Sequence, residues 1–248
     1  MKNSKEYAEK IKKLHRELKA KGDKVRPISF DDPIESVVYG IVAEKSSINR
    51  TKSVSKHFAR HFVDLNDLRV ARPEEIIEVF GKDTAEVREV AHTLVRVLGA
   101  IFEKQSNLTL ESLKKLGKRQ AKQELEAIDG ITHFVVNLCM LTALQGHTIP
   151  LTHKMITYLR ANDLVCPDAD DQDIEGFLTK QISAKDGYTF YALLRDESES
   201  PQINKHRAPK KTSKRTTKKK TKKVAKKTTK KKTKKVVKKT TKKKTKKL

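Results

Sequence analysis

Apolar positions recur at spacings of three and four along most of the first 200 residues, and that period predicts helices. Tyr7, Ile11, Leu14 and Leu18 form one stripe that ends at Gly22. Asp32-Pro33 is a start signal, a capping side chain followed by a proline where a backbone N–H would be unpaired anyway. The helix behind it carries Ile34, Val37, Val38, Ile41 and Val42 on one face. Arg72-Pro73-Glu74-Glu75 opens a short helix that stops at Gly81. Asp83 is expected to cap the next one, with Val87, Val90, Ala91, Leu94 and Val97 at helical period. Leu110 to Ile128 reads as a further helical stretch broken at Gly117. Val135 to Leu144 is apolar almost all round, as the central helix of a bundle should be. Asp171 to Ile182 and Tyr188 to Leu194 close this part, and no convincing period-two strand appears. The expected fold class is all-α.

Charge divides the chain sharply. Of its 56 Lys and Arg, 25 fall between Lys205 and Leu248, where there is no Asp or Glu. Residues 1–204 keep 31 basic against 31 acidic, so the body is formally neutral and the C-terminal segment holds the entire excess of +25. A period of twelve runs through that segment: Thr216 to Lys227 reads TTKKKTKKVAKK, Thr228 to Lys239 reads TTKKKTKKVVKK, and Thr240 begins a third copy. Dense like charge with almost no apolar content predicts a disordered tail. The three lysine triplets Lys218, Lys219, Lys220; Lys230, Lys231, Lys232; and Lys242, Lys243, Lys244 are candidate phosphate contacts. A merely solubilising tail is the plainer alternative.

Other compositional limits are brief. No apolar run approaches 18 residues, and the N-terminus has no apolar stretch of the signal-peptide kind. The only cysteines, Cys139 and Cys166, are unclustered, which predicts a reducing compartment, no disulfide framework and no metal or iron–sulfur cofactor.

Residues 125–135, Leu-Glu-Ala-Ile-Asp-Gly-Ile-Thr-His-Phe-Val, place a tight turn at Gly130 between a helix and an apolar helix. Such a hairpin aims free N–H groups at an anion, which makes Gly130, Ile131, Thr132 and His133 candidate backbone contacts. With the segment from Pro33 to Lys45, a basic segment, the helix after Asp83, and Ile149-Pro150-Leu151-Thr152-His153, the order of parts resembles the endonuclease III-like helix-hairpin-helix DNA glycosylase superfamily over residues 30–195. The tail repeats resemble, in composition, the C-terminal segments of linker histones and bacterial histone-like proteins.

The glycosylase resemblance implies an all-α, two-lobed helical body followed by the basic tail. The expected division is an N-terminal helix at 1–29, the glycosylase-like domain at 30–200 and the tail at 201–248. It also implies a loop that enters DNA at Ile41 to Ile48, where Lys45, with Arg50 and Lys52, would face phosphate. The departures fall on the chemistry. Thr132 stands at the hairpin's second glycine. The lyases' nucleophilic lysine, which forms a Schiff base with the sugar, is matched by Phe134, or by His133 if the alignment slips by one. The essential aspartate, which stabilises charge on the sugar, is matched by Leu151. Asp129 and Asp163 are the other carboxylates in reach, both better read as turn or cap residues. His133, His147 and His153 have no metal spacing.

The expected function is therefore DNA binding without base excision, at a nucleoid in the cytoplasm or in a nucleus. An active glycosylase using a noncanonical acid is one alternative, and an RNA- or ribosome-associated protein is another. A carboxylate in the cleft favours the enzyme; an apolar or filled cleft favours the binder.

Overall fold

The computed structural model describes residues 4–21 and 25–200. The lysine-rich repeats, with the nine lysines singled out above and their expected disorder, lie outside the described residues.

Everything described is helix and connecting loop, with no strand among the described residues. In chain order the helices are α1 (Ser4–Lys21), α2 (Pro33–Lys45), α3 (Ile48–His61), α4 (Leu65–Val70), α5 (Pro73–Phe80), α6 (Ala85–Gln105), α7 (Lys118–Glu126), α8 (His133–Thr142), α9 (His153–Ala161), α10 (Asp171–Gln181) and α11 (Gly187–Glu199), with a 3-10 turn at Glu111–Lys115 before α7.

Local chemistry sets many of the ends. Asp32 caps α2, its carboxylate accepting from Ile34 N at 3.0 Å, and Pro33 occupies the first turn. The same carboxylate accepts from Leu110 N at 3.0 Å, so one cap also fastens the segment entering the 3-10 turn. Gly81 ends α5 in the left-handed region at φ 64°. The break expected at Gly117 is real: it separates the 3-10 turn from α7. One expectation fails. Thr84, not Asp83, caps α6, its hydroxyl accepting from Val87 N at 3.3 Å. Asp83 is taken by Arg88, which donates to it from Nε and Nη2 at 2.6 and 2.7 Å.

The centre of the body is α8 against α2. Nearly every side chain of α8 is buried, as its all-round apolarity requires. Gly40 lets the two helices approach: a Cβ there would meet Val135 Cγ1 at 3.2 Å. The hydroxyls of Ser36 and Thr142 pair across the contact at 2.7 Å. Around this pair, α3 to α6 form one group of packed helices, with α6 on α2, α4 and α5, while α7 packs on α8 and the 3-10 turn. A second group is discontinuous in sequence: α1 packs on α10 and α11, and α11 on α8 and α9. The two groups are the two lobes. None of the described helices is long and apolar enough to cross a membrane.

Candidate nucleic-acid interface

The hairpin is built from α7, its turn and α8. Gly130 sits at φ 84°, a conformation that L side chains avoid. Space there is short as well, since a Cβ would fall 2.5 Å from Arg96 Nε. Arg96 lies 3.7 Å from Asp129 on the exposed side of the turn. Asp129 is thus a turn residue, and Asp163, at φ 53° just beyond α9, is another.

Thr132 caps α8. Its hydroxyl accepts from Val135 N at 3.3 Å and donates to Glu44 at 2.9 Å, tying the hairpin to the last turn of α2. The N–H groups of His133 and Phe134, in the first turn of α8, have no acceptor within the helix. Residues Gly130 to His133 are half-buried, so the turn is open to a partner on one side.

The first turn of α8 also carries a polar constellation that sequence reasoning missed. His133 Nε2 lies 2.6 Å from Glu175 Oε2, and Asn137 donates to Glu175 Oε1 at 2.7 Å. Burial pushes the Glu175 carboxyl above its usual range, against the opposing pull of His133. Glu44 is raised for the same first cause, with the Thr132 hydroxyl pulling the other way.

The two positions matched to the catalytic pair are both inside the core: Phe134 is 5% exposed and Leu151 7%. Beside Phe134 stands Arg195, 1% exposed, its guanidinium 5.9 Å from the ring centroid. Every bond Arg195 makes goes to an acceptor in place: Glu199 at 2.9 Å, the Tyr191 hydroxyl at 2.6 Å, Ser46 O at 2.5 Å, and Ala43 O. Glu199 in turn accepts from Ile48 N at 3.2 Å. Arg195 is thus a fixed, fully bonded cation packed beside the Phe134 ring. The spacing of Tyr191, Arg195 and Glu199, four residues apart on one helix, was the sequence signal for this cluster.

The remaining candidates are scattered. Lys45 pairs with Glu89 at 2.9 Å and is partly exposed. Arg50 is used internally, donating to Phe80 O. His147 Nε2 lies 2.9 Å from Ile182 O, and His153 is exposed. Cys139 is buried and Cys166 half-buried, both free. No group of three or more His, Cys, Asp or Glu gathers as a metal site among the described residues.

A two-lobed helical body turning on a helix-hairpin-helix is the fold of the endonuclease III-like DNA glycosylases, and comparison with solved structures shows this directly. An endonuclease III trapped as a covalent intermediate on DNA superposes with a TM-score of 0.59 at 13% identity, over 79% of this chain and 85% of that one. The 8-oxoguanine glycosylase/lyase of Clostridium acetobutylicum, in complex with duplex DNA, gives 0.59 at 17% identity, over 80% and 71%. The 3-methyladenine DNA glycosylase of H. pylori gives 0.56 at 14% identity, over 79% and 96%. At such identities the likeness is one of fold. No family model matches the chain, and no curated protein matches it in sequence.

Proposed function

We propose that this protein binds DNA through the sugar-phosphate backbone and does not excise bases. One observation carries the reading. The residues matched to the glycosylase nucleophile and aspartate are Phe134 and Leu151, both buried, with Arg195 bonded in place beside the ring. A glycosylase needs a pocket for a flipped base and a carboxylate near the sugar where positive charge develops. A lyase also needs an unprotonated amine at that wall. Neither matched position offers an amine or a carboxylate, and the carboxylates nearest the hairpin, Glu44, Glu175 and Glu199, are each held by a partner within the body. Asp129 and Asp163, the substitutes considered above, are turn residues, and Asp129 faces Arg96.

Binding is assigned to two parts. The hairpin presents Gly130, Ile131, Thr132 and His133, with the free N–H groups of the first turn of α8 and Arg96 beside them. The lysine repeats contribute sequence-independent affinity by displacing counterions from DNA. If the tail engages even six to ten phosphates, affinity falls about 10³-fold or more between 50 and 200 mM salt. Lysines on phosphate read no bases, so sequence preference is slight. The reading places the protein at a nucleoid or in chromatin.

The test uses a chain ending at Ser200, because free lysine amines of the tail would themselves nick abasic sites slowly. It is offered duplexes carrying uracil, an oxidised pyrimidine, an alkylated purine or an abasic site. The expected result is no base release and no borohydride-trapped adduct, with full-length protein binding each duplex in a steeply salt-dependent way. Excision well above background refutes the non-catalytic reading. Equal or tighter binding to RNA of the same length shifts the partner from DNA to RNA.

A further inference from the structure

Residues 45–63 contain no Asp or Glu and five Lys or Arg, in a body whose charges balance as a whole. Most of that run is α3, a helix the sequence did not announce. Thr51, Val54 and Phe58 turn inward. Lys52, Lys56 and Arg60 are exposed on successive turns, forming a column with a step of about 6 Å. Among the described residues none of the three meets a carboxylate. Some cations elsewhere on the body do, Arg72, Arg88, Arg96, Lys104 and Arg160 each having an acidic partner within 4.0 Å, and what distinguishes the α3 column is three unpaired cations stacked on one face in a run without Asp or Glu. An unneutralised column costs self-repulsion with nothing local to offset it, and a polyanion would offset it.

The place of this column strengthens the case. The stretch from Glu44 to Ile48 is a junction. Glu44 receives the hydroxyl of Thr132, so the hairpin meets the junction at one end. Ile48, the first residue of α3, donates to Glu199, so the end of α11 meets it at the other. Ser200 follows Glu199, and in sequence the basic segment begins at Lys205 and its repeats at Thr216. The hairpin, the start of α3 and the end of α11 therefore converge on five residues.

We infer that the exposed column of α3, Lys52, Lys56 and Arg60, is a separate docking surface for the phosphate backbone of duplex DNA, continuous with the hairpin at the Glu44–Ile48 junction. The inference rests on the DNA-binding reading and extends it to a surface outside the hairpin and the tail. Lys45 and Arg50 are not part of the column, being engaged with Glu89 and Phe80 O.

The test is a salt titration of full-length protein on a fluorescent 25-base-pair duplex, comparing wild type, the triple variant K52Q/K56Q/R60Q, and K115Q/K180Q/K185Q. The last removes the same charge from exposed lysines of other elements. Glutamine keeps helix propensity, and superimposable circular dichroism spectra and melts verify folding of both variants. Three lost phosphate contacts lower the slope of log K against log salt by about 2 to 3, which is about 40-fold in the affinity ratio between 50 and 200 mM. The α3 variant is expected to show this loss and the charge-matched control a much smaller one. Equal losses in both variants overturn the inference, since net charge alone then explains binding. No loss in the α3 variant overturns it while leaving the DNA-binding reading intact. A loss seen on anionic vesicles with duplex binding preserved also overturns it. Failure of wild-type protein to bind the duplex at 50 mM salt refutes the functional reading and the inference with it.

Discussion

Arg195 is the residue whose removal should cost the body most for its size. It is 1% exposed and satisfies four acceptors: the Glu199 carboxylate, the Tyr191 hydroxyl and the carbonyls of Ala43 and Ser46. Truncation in Arg195→Ala leaves Glu199, 14% exposed, without its cation, and leaves the other acceptors facing a void. Breaking one side of a buried ion pair costs about 3–5 kcal/mol. In a body of about 200 residues each kcal/mol shifts the melting temperature by about 2–4 °C, so R195A should melt roughly 6–20 °C below wild type. Thermal and urea melts followed at 222 nm give the value. Adding Glu199→Gln should recover part of the loss, because the orphaned carboxylate disappears while Ile48 N keeps an acceptor. A shift of R195A below about 2 °C would mean that water or a neighbour takes over those acceptors, and the picture of a packed, cation-plugged core would be wrong.

Further outcomes follow from the same geometry. Gly130→Ala forces a side chain to φ 84° and displaces Arg96, so it should cost about 1–3 kcal/mol and weaken duplex binding; a neutral effect on both argues that the turn is looser than described. Glu175 is raised above the ordinary 4.5 mainly by burial, so folding favours its protonated form; that contribution is present below pH 4.5 and is lost as pH rises through the raised value. The melting temperature of Glu175→Gln should therefore gain on wild type between pH 4 and 7, and a gap moving the other way refutes the assignment. A chain ending at Ser200 should melt cooperatively within a few degrees of full length, since the core cluster lies within residues 11–194; a large loss of helicity would show that the tail is part of the fold.

Where local chemistry decides, the sequence was readable. Asp32-Pro33, Gly81 and Gly130 each do what their backbone preferences dictate. The misread cap at Asp83 shows the limit of that reasoning, because a carboxylate five residues before Arg88 prefers the guanidinium to the helix end. α3 was missed because its inward face has only Val54 and Phe58 as large fully buried apolar side chains, with Thr51 interrupting the stripe. Arg195 and Glu175 were missed for a different reason. A charged residue in an apolar stretch reads as solvent-facing, and their partners lie far along the chain: Ala43 is 152 residues from Arg195, and His133 42 from Glu175. The identities of Phe134 and Leu151 were legible, but their burial was a matter of three-dimensional packing.

The last turn of α11 has a mechanical consequence. Glu199 holds Arg195 on its own helix and Ile48 at the start of α3, through its two carboxylate oxygens. Any load that reaches Ser200 passes at once to that bidentate clasp. A pull from the tail is therefore shared between α11, the plug beside Phe134 and the first turn of α3, rather than peeling α11 away turn by turn.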